Sequence, residues 1–457
     1  MALRDDFRSI WHRVLAWLQA LLGGSSTPPT EPPVPGRKKW TFMVYMAGDN
    51  NLEGAGIRDL SEMKQVGSTS EVNIVVEFDA LSAVGARRYF VRRDTRLAED
   101  VVMRLPELNT GDPAALEDFL VWATERYPAD HYALVLWNHG SGWKDDDVYA
   151  GLASRGYDAA QLTRGQVRSL TSGNSSRALF RSSLEQVAAD VALAQRAILF
   201  DDTSTDFLDN VEMKEVLDRA ATRLGSRIDV LGCDACLMNM IEVAYQLRES
   251  CRFLVGSQEE EPGDGWPYHL ILQRLAARPD MSPRLLAATI VEEYNRFYRD
   301  SLPNLSVTQS ALDLDKLDPL LAAIDDLADA LRATLEADWR AGSSLVSLAL
   351  YEVQKFTDRD YVDLVHLAQL LAQQNPDTAI AEAAMRVVDA VKRSSEDSPL
   401  VAEGHGGANM LHVNGICIYL PERNLSPLYD RLEFAKDHRW DDFLRVRLTP
   451  RYHTTLR

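Results

Sequence analysis

The sequence predicts an α/β protein built around a mostly parallel sheet. Short apolar runs with the pattern of buried strands recur along the chain, and segments with helical apolar spacing separate them. The helical segments Ala114–Arg126 and Val211–Leu224 suit the crossover connections that join parallel strands. Ligands of such sheets bind at the carboxyl ends of the strands, so residues that directly follow a strand are the first candidates for a functional site.

Apolar runs predict six strands in the first part of the chain and one further on. The expected strands are Thr41–Met46, Asn73–Phe78, Arg88–Val91, Tyr132–Trp137, Ile228–Leu231 and Phe253–Gly256, followed by Ser306–Leu312. Helical apolar spacing continues beyond them in Asp315–Leu335, Ser343–Phe356, Tyr361–Gln373 and Thr378–Ser394. We therefore predict a main domain over residues 40–312 and a mainly helical C-terminal subdomain over 313–457, with a returning strand near 415–420.

The apolar spacing at residues 1–22 predicts an amphipathic helix, and the proline-rich composition of residues 23–39 predicts a linker to the main domain. This helix is a poor secretory signal, because Asp5 and Asp6 dilute its basic end and no Ala-x-Ala site follows it. The sequence thus favours a cytoplasmic protein, with secretion as the alternative if the apolar segment acts as a signal. Docking or contact with a membrane surface is the role expected of the helix.

The composition narrows the classes of partner. The 457 residues are 46% hydrophobic and 26% charged, which suits one large folded domain with appendages. A net charge of −19 argues against nucleic acid as a partner, because its phosphates would be repelled. Four cysteines at uneven spacing predict free thiols rather than a disulfide framework.

Cys236 lies where a buried-strand pattern gives way to a helical one. Ile228–Leu231 predicts the strand and Leu237–Leu247 predicts the helix. A sulfur at a helix start lies near unpaired N–H groups that favour thiolate over thiol, so the sequence predicts Cys236 as a nucleophile. Cys233 and Cys236 also form a C-x-x-C, which leaves a redox dithiol or a zinc knuckle open as alternatives, although no second such motif is present.

His139 is the most suggestive partner for this cysteine. It follows the predicted strand Tyr132–Trp137 directly, in a glycine-bearing loop. If the two strands are parallel in one sheet, both ends lie at the same edge, and the histidine and cysteine meet despite their separation in sequence. The alternative for His139 is a turn histidine that bonds its own loop. Other histidines, namely His131, His405 and His412, lack this position after a strand.

Five ordered blocks of the sequence resemble the clostripain family of cysteine peptidases, within the caspase-like clan. They are Trp40–Leu52, His139-Gly140, Phe200–Leu208, Asp234–Cys236 and Gly256–Tyr268. The resemblance is close over residues 40–300 and extends more loosely to Pro421. It implies a caspase-like α/β/α sandwich for the main domain.

The resemblance also implies a reaction, namely peptide-bond hydrolysis after Arg and less well after Lys, in protein or peptide substrates. Cys236 would attack the carbonyl carbon and His139 would move the proton. The backbone N–H groups of Gly140 and Cys236 would form the oxyanion hole, in which loss of one donor typically costs about 10²–10³ in rate.

Asp234 is the residue expected to select the basic side chain. It stands two residues before Cys236, where a carboxylate would pair with the planar fork of an arginine. The alternative is a carboxylate that accepts N–H groups at a helix start. Further acids, Glu259, Glu260, Glu261 and Asp264, are candidate second contributors, although exposed runs of this kind are more often merely solvated.

A polar segment at residues 154–190 separates the histidine and cysteine blocks and is rich in serine, glycine and arginine. The resemblance implies a single-chain zymogen that is cut in this segment, by itself or by an activating protease. Arg168, Arg177 and Arg181, flanked by small residues, are the candidate processing sites. A tolerated surface insertion is the alternative.

Calcium is the only cofactor that the resemblance implies. Asp49-x-Asn51-x-Glu53 imitates the start of a calcium loop, but Leu60 occupies the position of the bidentate glutamate, so this motif fails. Candidate oxygen ligands elsewhere are Asp145, Asp146, Asp147, Asp201 and Asp202.

Two other classes of protein stand beside the peptidase. A catalytically silent caspase-like scaffold that binds basic peptides would need Asp234 but neither His139 nor Cys236. A thiol oxidoreductase would need Cys233 as much as Cys236. Replacement of each cysteine in turn therefore separates these classes.

Overall fold

The computed structural model describes residues 36–50, 52–80, 83, 85–138, 140, 142–143, 198–201, 206–391 and 398–449, with backbone alone for 198–201 and 206–207. The predicted amphipathic helix at 1–22, most of the linker at 23–39 and the predicted processing segment at 154–190 lie outside these ranges. No helix among the described residues is both long and apolar enough to cross a bilayer.

A nine-stranded sheet forms the centre of the molecule. Its strands are β1 (Lys38–Gly48), β2 (Val72–Ala80), β3 (Arg87–Phe90), β4 (Val101–Arg104), β5 (Ala129–Trp137), β8 (Ile228–Asp234), β9 (Cys251–Gly256), β10 (Val307–Asp313) and β12 (Leu400–Gly406). Across the sheet the order is β12-β10-β9-β8-β5-β1-β2-β3-β4. The central strands β9, β8, β5, β1 and β2 are parallel, whereas the two strands at each edge pair antiparallel.

Two further pairs of short strands lie outside this sheet. β6 (Ile198–Asp201) pairs with β7 (Asp206–Leu208), and β11 (Tyr361–Asp363) pairs with β13 (Cys417–Tyr419). Segment 361–363 was expected to be helical, but its residues pair with β13 and the helix starts at Leu364. The Asp363 carboxylate caps that helix by accepting the N–H of His366 at 2.8 Å.

Helices cover both faces of the sheet. They are α1 (Glu53–Val66), α2 (Pro113–Arg126), α3 (Asn210–Leu224), α4 (Ile241–Leu247), α5 (Tyr268–Ala277), α6 (Pro283–Ser301), α7 (Asp318–Ala337), α8 (Trp339–Glu352), α9 (Leu364–Gln374), α10 (Ala379–Val391), α11 (Glu433–Asp437) and α12 (Trp440–Leu448). One hydrophobic cluster contains buried residues of α1, α5 and α6, and a second contains those of α2, α3, α4 and the C-terminal helices.

Strand β1 illustrates why the sheet is buried on both sides. Phe42 and Val44 belong to one hydrophobic cluster, whereas Met43 and Tyr45 belong to the other. Alternate side chains of a strand point to opposite faces, so a continuous apolar run fits a sheet that is covered twice. The predicted α/β/α arrangement with a mostly parallel sheet agrees with this architecture.

The C-terminal part of the chain is mainly helical, as expected, and the returning strand lies at Cys417–Tyr419. A second strand, β12, joins the edge of the main sheet beyond β10, in a segment for which the apolar pattern predicts no strand. The C-terminal helices also share a hydrophobic cluster with one face of the sheet. The boundary between a main domain and a C-terminal subdomain at residue 312 therefore stays a prediction. Contacts between the C-terminal part and the main sheet cross this boundary.

Candidate active site

The pairing of β5 with β8 brings two predicted motifs to the same edge of the sheet. Trp137, the last residue of β5, lies opposite Asp234, the last residue of β8. Just beyond the strand ends, the N–H of Asn138 donates to the carbonyl oxygen of Asp234 at 3.3 Å. His139 and Cys236 each lie two residues beyond these paired positions in the sequence.

His139 lies outside the described residues, but its neighbour Gly140 is described. A Cβ atom added at Gly140 would overlap the carbonyl oxygen of Cys236 and would lie 3.0 Å from the Cys236 nitrogen. The loop after β5 therefore contacts the backbone of Cys236 so closely that only glycine fits at this position. None of the described histidines lines the cleft beside Cys236.

Cys236 is a buried thiol, with 7% of its surface exposed. Its Sγ accepts the backbone N–H of Glu261 at 3.2 Å. Burial raises the pKa of the Cys236 thiol, the bond from the Glu261 N–H opposes this, and the nearby carboxylates add to the rise. In this arrangement the sulfur carries its proton, so catalysis would need a base to remove it.

The prediction that a helix start activates Cys236 is wrong. α4 begins at Ile241, and the intervening segment pairs with other parts of the chain. Asn239 donates its N–H to Ser257 at 2.9 Å and accepts the N–H of Cys417 at 3.1 Å, while Leu237 adopts a left-handed φ of 63°. Because these backbone groups are bonded elsewhere, the helix cannot extend back to the sulfur.

The C-terminal segment supports both loops of the site. The Trp143 ring packs against the rings of Tyr419 and Tyr429, with centroid distances of 4.7 and 5.0 Å. Glu242 of α4 accepts the N–H of Tyr419 at 2.9 Å and the hydroxyl of Tyr429 at 3.2 Å. Burial raises the pKa of Glu242 to about 7. The loop after β5 and the helix after Cys236 thus contact the same pair of tyrosines.

A cleft of about 300 Å³ opens beside Cys236. It is lined by Leu52, Ala55, Asp59, Trp137, Asn138, Asp234, Ala235, Cys236, Glu261, Pro262, Gly263 and Gly265. Three of these side chains are carboxylates, and none is a lysine or an arginine. The electrostatic character of the cleft is therefore acidic.

Asp234 lies in this cleft, where only 5% of its surface is exposed. Its Oδ2 accepts the hydroxyl of Tyr268 at 2.8 Å and the N–H of Trp266 at 3.3 Å. Burial raises the pKa of Asp234 to about 6, and these hydrogen bonds limit the rise. The partners come from the loop before α5 and from α5 itself, so the alternative of a helix-capping carboxylate at the start of α4 is not the arrangement observed.

Two of the four acids after β9 differ from the solvated run expected of them. Glu259 and Glu261 are 8% and 5% exposed, whereas Asp264 has a side chain that is 57% exposed beside Arg58. Glu261 Oε1 accepts the Gln309 amide at 3.1 Å and the Trp266 indole N–H at 3.4 Å. Burial, followed by the charge of Asp234, raises the pKa of Glu261 well above its usual value.

Asp59 on α1 is a cleft residue that sequence reasoning missed. It is 2% exposed, and its Oδ2 accepts the Trp137 indole N–H at 2.7 Å. Burial, followed by the charge of Asp234, raises the pKa of Asp59 to about 9. A signal was present, because Asp59 shares the helical stripe of Ala55 and Met63, where an acid is out of place.

The second cysteine of the C-x-x-C is a core residue. Cys233 is fully buried within a hydrophobic cluster, and both Cys233 and Cys236 are free thiols. Burial raises the pKa of the Cys233 thiol. A redox dithiol needs both sulfurs within reach of a substrate, so this burial counts against the oxidoreductase alternative.

Within the described residues, one group of carboxylates is suited to a metal ion. Oxygen atoms of Asp49, Asp79 and Glu107 lie within 4.8 Å of one another, and the first two residues are buried. Carboxylate oxygens are the ligands that Ca²⁺ prefers. Of the candidates from the sequence, Asp201 is described by its backbone alone, whereas Asp145, Asp146, Asp147 and Asp202 lie outside the described residues, as do Arg168, Arg177 and Arg181.

Fold and site together define a class: an α/β/α sandwich with a cysteine after a central strand and a glycine-containing loop after the neighbouring strand. A family model of the clostripain family, peptidase family C11, matches residues 44–179 and 185–446 of this chain. The chain belongs to this family.

The relatives differ in how much of their length is matched. Clostripain from Hathewaya histolytica is 28% identical over 269 residues, which cover 52% of this chain and 43% of clostripain. The chain thus spans less than half the length of this curated relative.

Two solved structures match most of the chain. A secreted C11 cysteine protease from Bacteroides thetaiotaomicron, in complex with an irreversible peptide inhibitor, is 20% identical with a TM-score of 0.60, covering 88% of this chain and 100% of that one. An inactive zymogen C11 protease from Parabacteroides distasonis is 19% identical with a TM-score of 0.57. This match covers 89% of this chain and 99% of the Parabacteroides chain. These matches confirm the expected caspase-like fold.

Proposed function

We propose that this protein is a cysteine endopeptidase that cleaves after Arg, and less well after Lys, through a dyad of His139 and Cys236. The observation that carries the proposal is the contact of Gly140 with the backbone of Cys236 at the mouth of an acidic cleft. Membership of the clostripain family supports the same reaction.

In the proposed reaction, His139 removes the proton of the Cys236 thiol, and the thiolate attacks the carbonyl carbon of the scissile bond. The oxyanion that forms accepts the backbone N–H groups of Gly140 and Cys236. His139 then protonates the leaving amine, and water hydrolyses the thioester. The position of His139 between Asn138 and Gly140, which both contact the segment from Asp234 to Cys236, supports this assignment.

The test of the proposal is hydrolysis of matched reporter peptides that differ only at the residue before the scissile bond. We expect turnover with Arg, weaker turnover with Lys, and none with Asp or citrulline. Citrulline is the sharpest control, because it keeps the shape of arginine and lacks its charge. Binding of the Arg peptide without any turnover, in cut as well as uncut protein, would instead favour the silent scaffold.

Gly140→Ala should lower kcat by about 10²- to 10³-fold, the cost of a displaced oxyanion donor. The added Cβ would overlap backbone, which yields less easily than a side chain, so the loop has to move away from Cys236. Steady-state kinetics with the Arg reporter measure the loss. Gly36→Ala is the matched control, since an added Cβ there meets nothing within 4 Å and the residue does not line the cleft. Equal activity of both variants would contradict this role of Gly140.

We propose that the protein is a zymogen that is cut within residues 154–190, at Arg168, Arg177 or Arg181, by itself or by an activating protease. The buried, protonated state of Cys236 fits an uncut precursor. The Parabacteroides distasonis relative, described as an inactive zymogen, supports the same interpretation. Intact mass before and after incubation identifies the cut, and full activity of a variant that lacks all three arginines would count against these sites.

Calcium binding at Asp49, Asp79 and Glu107 is a further part of the proposal. Three carboxylates within 4.8 Å suit a hard cation and stabilise the fold when one is bound. We expect Ca²⁺ to raise the unfolding temperature of the wild type, and Glu107→Gln to require about tenfold more calcium for the same rise. Glu71→Gln, at an exposed residue away from the group, serves as control. An unfolding temperature that does not change with Ca²⁺ in a thermal-shift titration would contradict calcium binding at this site.

The two candidate cellular compartments of the protein are the cytoplasm and the outside of the cell. The Bacteroides thetaiotaomicron relative is described as a secreted protease, which favours the secreted alternative over the cytoplasmic location that the N-terminal sequence suggested. We propose secretion, with the segment at 1–22 as signal or membrane-contacting helix. Fractionation of cells that express the full chain, followed by N-terminal sequencing, distinguishes the two.

A further inference from the structure

Three buried carboxylates from separate elements meet in the cleft. Asp59 comes from α1, Asp234 from the end of β8 and Glu261 from the loop after β9, and their exposed fractions are 2%, 5% and 5%. Among the described residues, none of the three forms an ion pair with a lysine, an arginine or a histidine. Buried acids are normally paired with a cation, so this cleft is suited to a cationic ligand.

Asp59 and Asp234 border the same space beside Gly265. A Cβ atom added at Gly265 would lie 3.2 Å from both carboxylate oxygens of Asp234 and 3.5 Å from Oδ2 of Asp59. Gly265 has a φ of 56°, which favours glycine, so the space stays open. The two carboxylates are therefore within the span of one guanidinium group.

We propose that Asp59 is a second specificity residue of this cleft and binds, together with Asp234, the cationic side chain that precedes the scissile bond. The inference rests on the proposed function and adds a residue from the opposite wall of the cleft. Glu261 is less free to take this role, because the Gln309 amide and the Trp266 indole already donate to its Oε1.

The two carboxylates favour arginine over lysine. A guanidinium has five N–H donors spread along a plane, so it can bond Asp234 with one edge and Asp59 with another. A lysine ammonium places its donors on a single nitrogen, which satisfies the two separated carboxylates less well. Loss of the Asp59 charge should therefore weaken binding of arginine more than binding of lysine.

Binding should also release a proton. The raised pKa of Asp59, about 9, means that its carboxyl is protonated at neutral pH when the cleft is empty. An incoming cation favours the ionised form, so affinity rises as the pH rises toward 9 and levels off above it. Groups that act on Asp59 from the packed elements are Arg58, Glu62, Asp234, Tyr268 and Tyr298.

The experiment measures binding without turnover, in full-length Cys236→Ala protein, both uncut and after cleavage within residues 154–190 by an added Arg-specific protease. Isothermal titration with an arginyl peptide and its citrulline analogue, each in two buffers of different ionisation enthalpy, gives affinity and protons released. Asp59→Asn is then added to this protein, because asparagine keeps the shape of the side chain and an acceptor for the Trp137 indole N–H. The affinity for the arginyl peptide should fall about 10- to 100-fold, whereas the affinity for the citrulline peptide should not change. The number of protons released per arginyl peptide bound should fall by about one.

Glu53→Gln is the matched control, since it removes a charge from the same helix at a residue that does not line the cleft. Equal affinity of Asp59→Asn and its parent for the arginyl peptide would overturn the inference, as would equal losses for both peptides. If Asp59→Asn fails to fold, Asp59→Ser, which keeps a hydroxyl oxygen to accept the Trp137 indole N–H, takes its place with the same expected losses. Tight arginyl binding without an Asp59 effect refutes this inference alone, whereas no arginyl binding by either the uncut or the cut protein refutes the proposed function as well.

Discussion

Cys236→Ala should abolish peptide hydrolysis, lowering kcat by roughly 10⁶-fold, as removal of a catalytic nucleophile does in other peptidases. No other thiol can replace it, since Cys233, Cys251 and Cys417 are all fully buried in the core. If processing is autocatalytic, the variant also stays a single chain under conditions in which the wild type is cut. Reporter hydrolysis and intact mass measure the two effects separately.

Cys233→Ala is the control for this experiment. It removes a sulfur three residues away, in the same strand-to-loop segment, at a cost of about 1 kcal/mol from the small cavity that it leaves. We expect peptidase activity to persist. Equal loss in both variants would point to a dithiol function, and retention of activity in Cys236→Ala would remove the nucleophile assignment.

Asp234→Asn should lower kcat/KM for the Arg reporter by about 10²- to 10³-fold, because a charge-assisted bond in a buried cleft is lost. The amide keeps an acceptor for the Tyr268 hydroxyl, so the cleft retains its shape. Alkylation of Cys236 by a small neutral reagent should be unaffected. Steady-state kinetics and alkylation followed by mass spectrometry are the two measurements.

The activity of the wild type toward the Arg reporter should also depend on pH through Asp234. Burial raises the pKa of Asp234 to about 6, so its charge is present above that pH and is lost as the pH falls through it. Cleavage after Arg should weaken below about pH 6, and the variant should lack this component. Asp229→Asn, at the opposite end of β8, is the control. Unchanged Arg cleavage by Asp234→Asn would refute the cleft assignment.

The sequence predicted the central strands well because their apolar runs are long and their ends are sharp. Ile228–Leu231 and Tyr132–Trp137 are strands, and the expectation that they lie parallel led to the correct edge for Cys236. Both faces of these strands are buried along most of their length, so most of their positions are apolar and the pattern is clear.

Features that depend on distant contacts were not predictable in the same way. The helix after Cys236 was placed too early, because Leu237–Met240 has helical apolar spacing but bonds to Ser257 and Cys417. The role of Asp59 depends on α1 packing beside Trp137, which no local pattern contains. β12 contains two glycines and no long apolar run, and its pairing with β10 makes it a strand.

The adjacency of β5 and β8 determines what a cut chain would be. The segment between Trp143 and Ile198 separates β1 to β5 on one side from β6 to β13 on the other, and the two sets meet along the β5–β8 pairing in the middle of one sheet. Cleavage there would produce two polypeptides, each with only part of a sheet and an exposed apolar strand edge. Neither would be stable alone, so the mature protein would be an obligate two-chain assembly that separates only on denaturation.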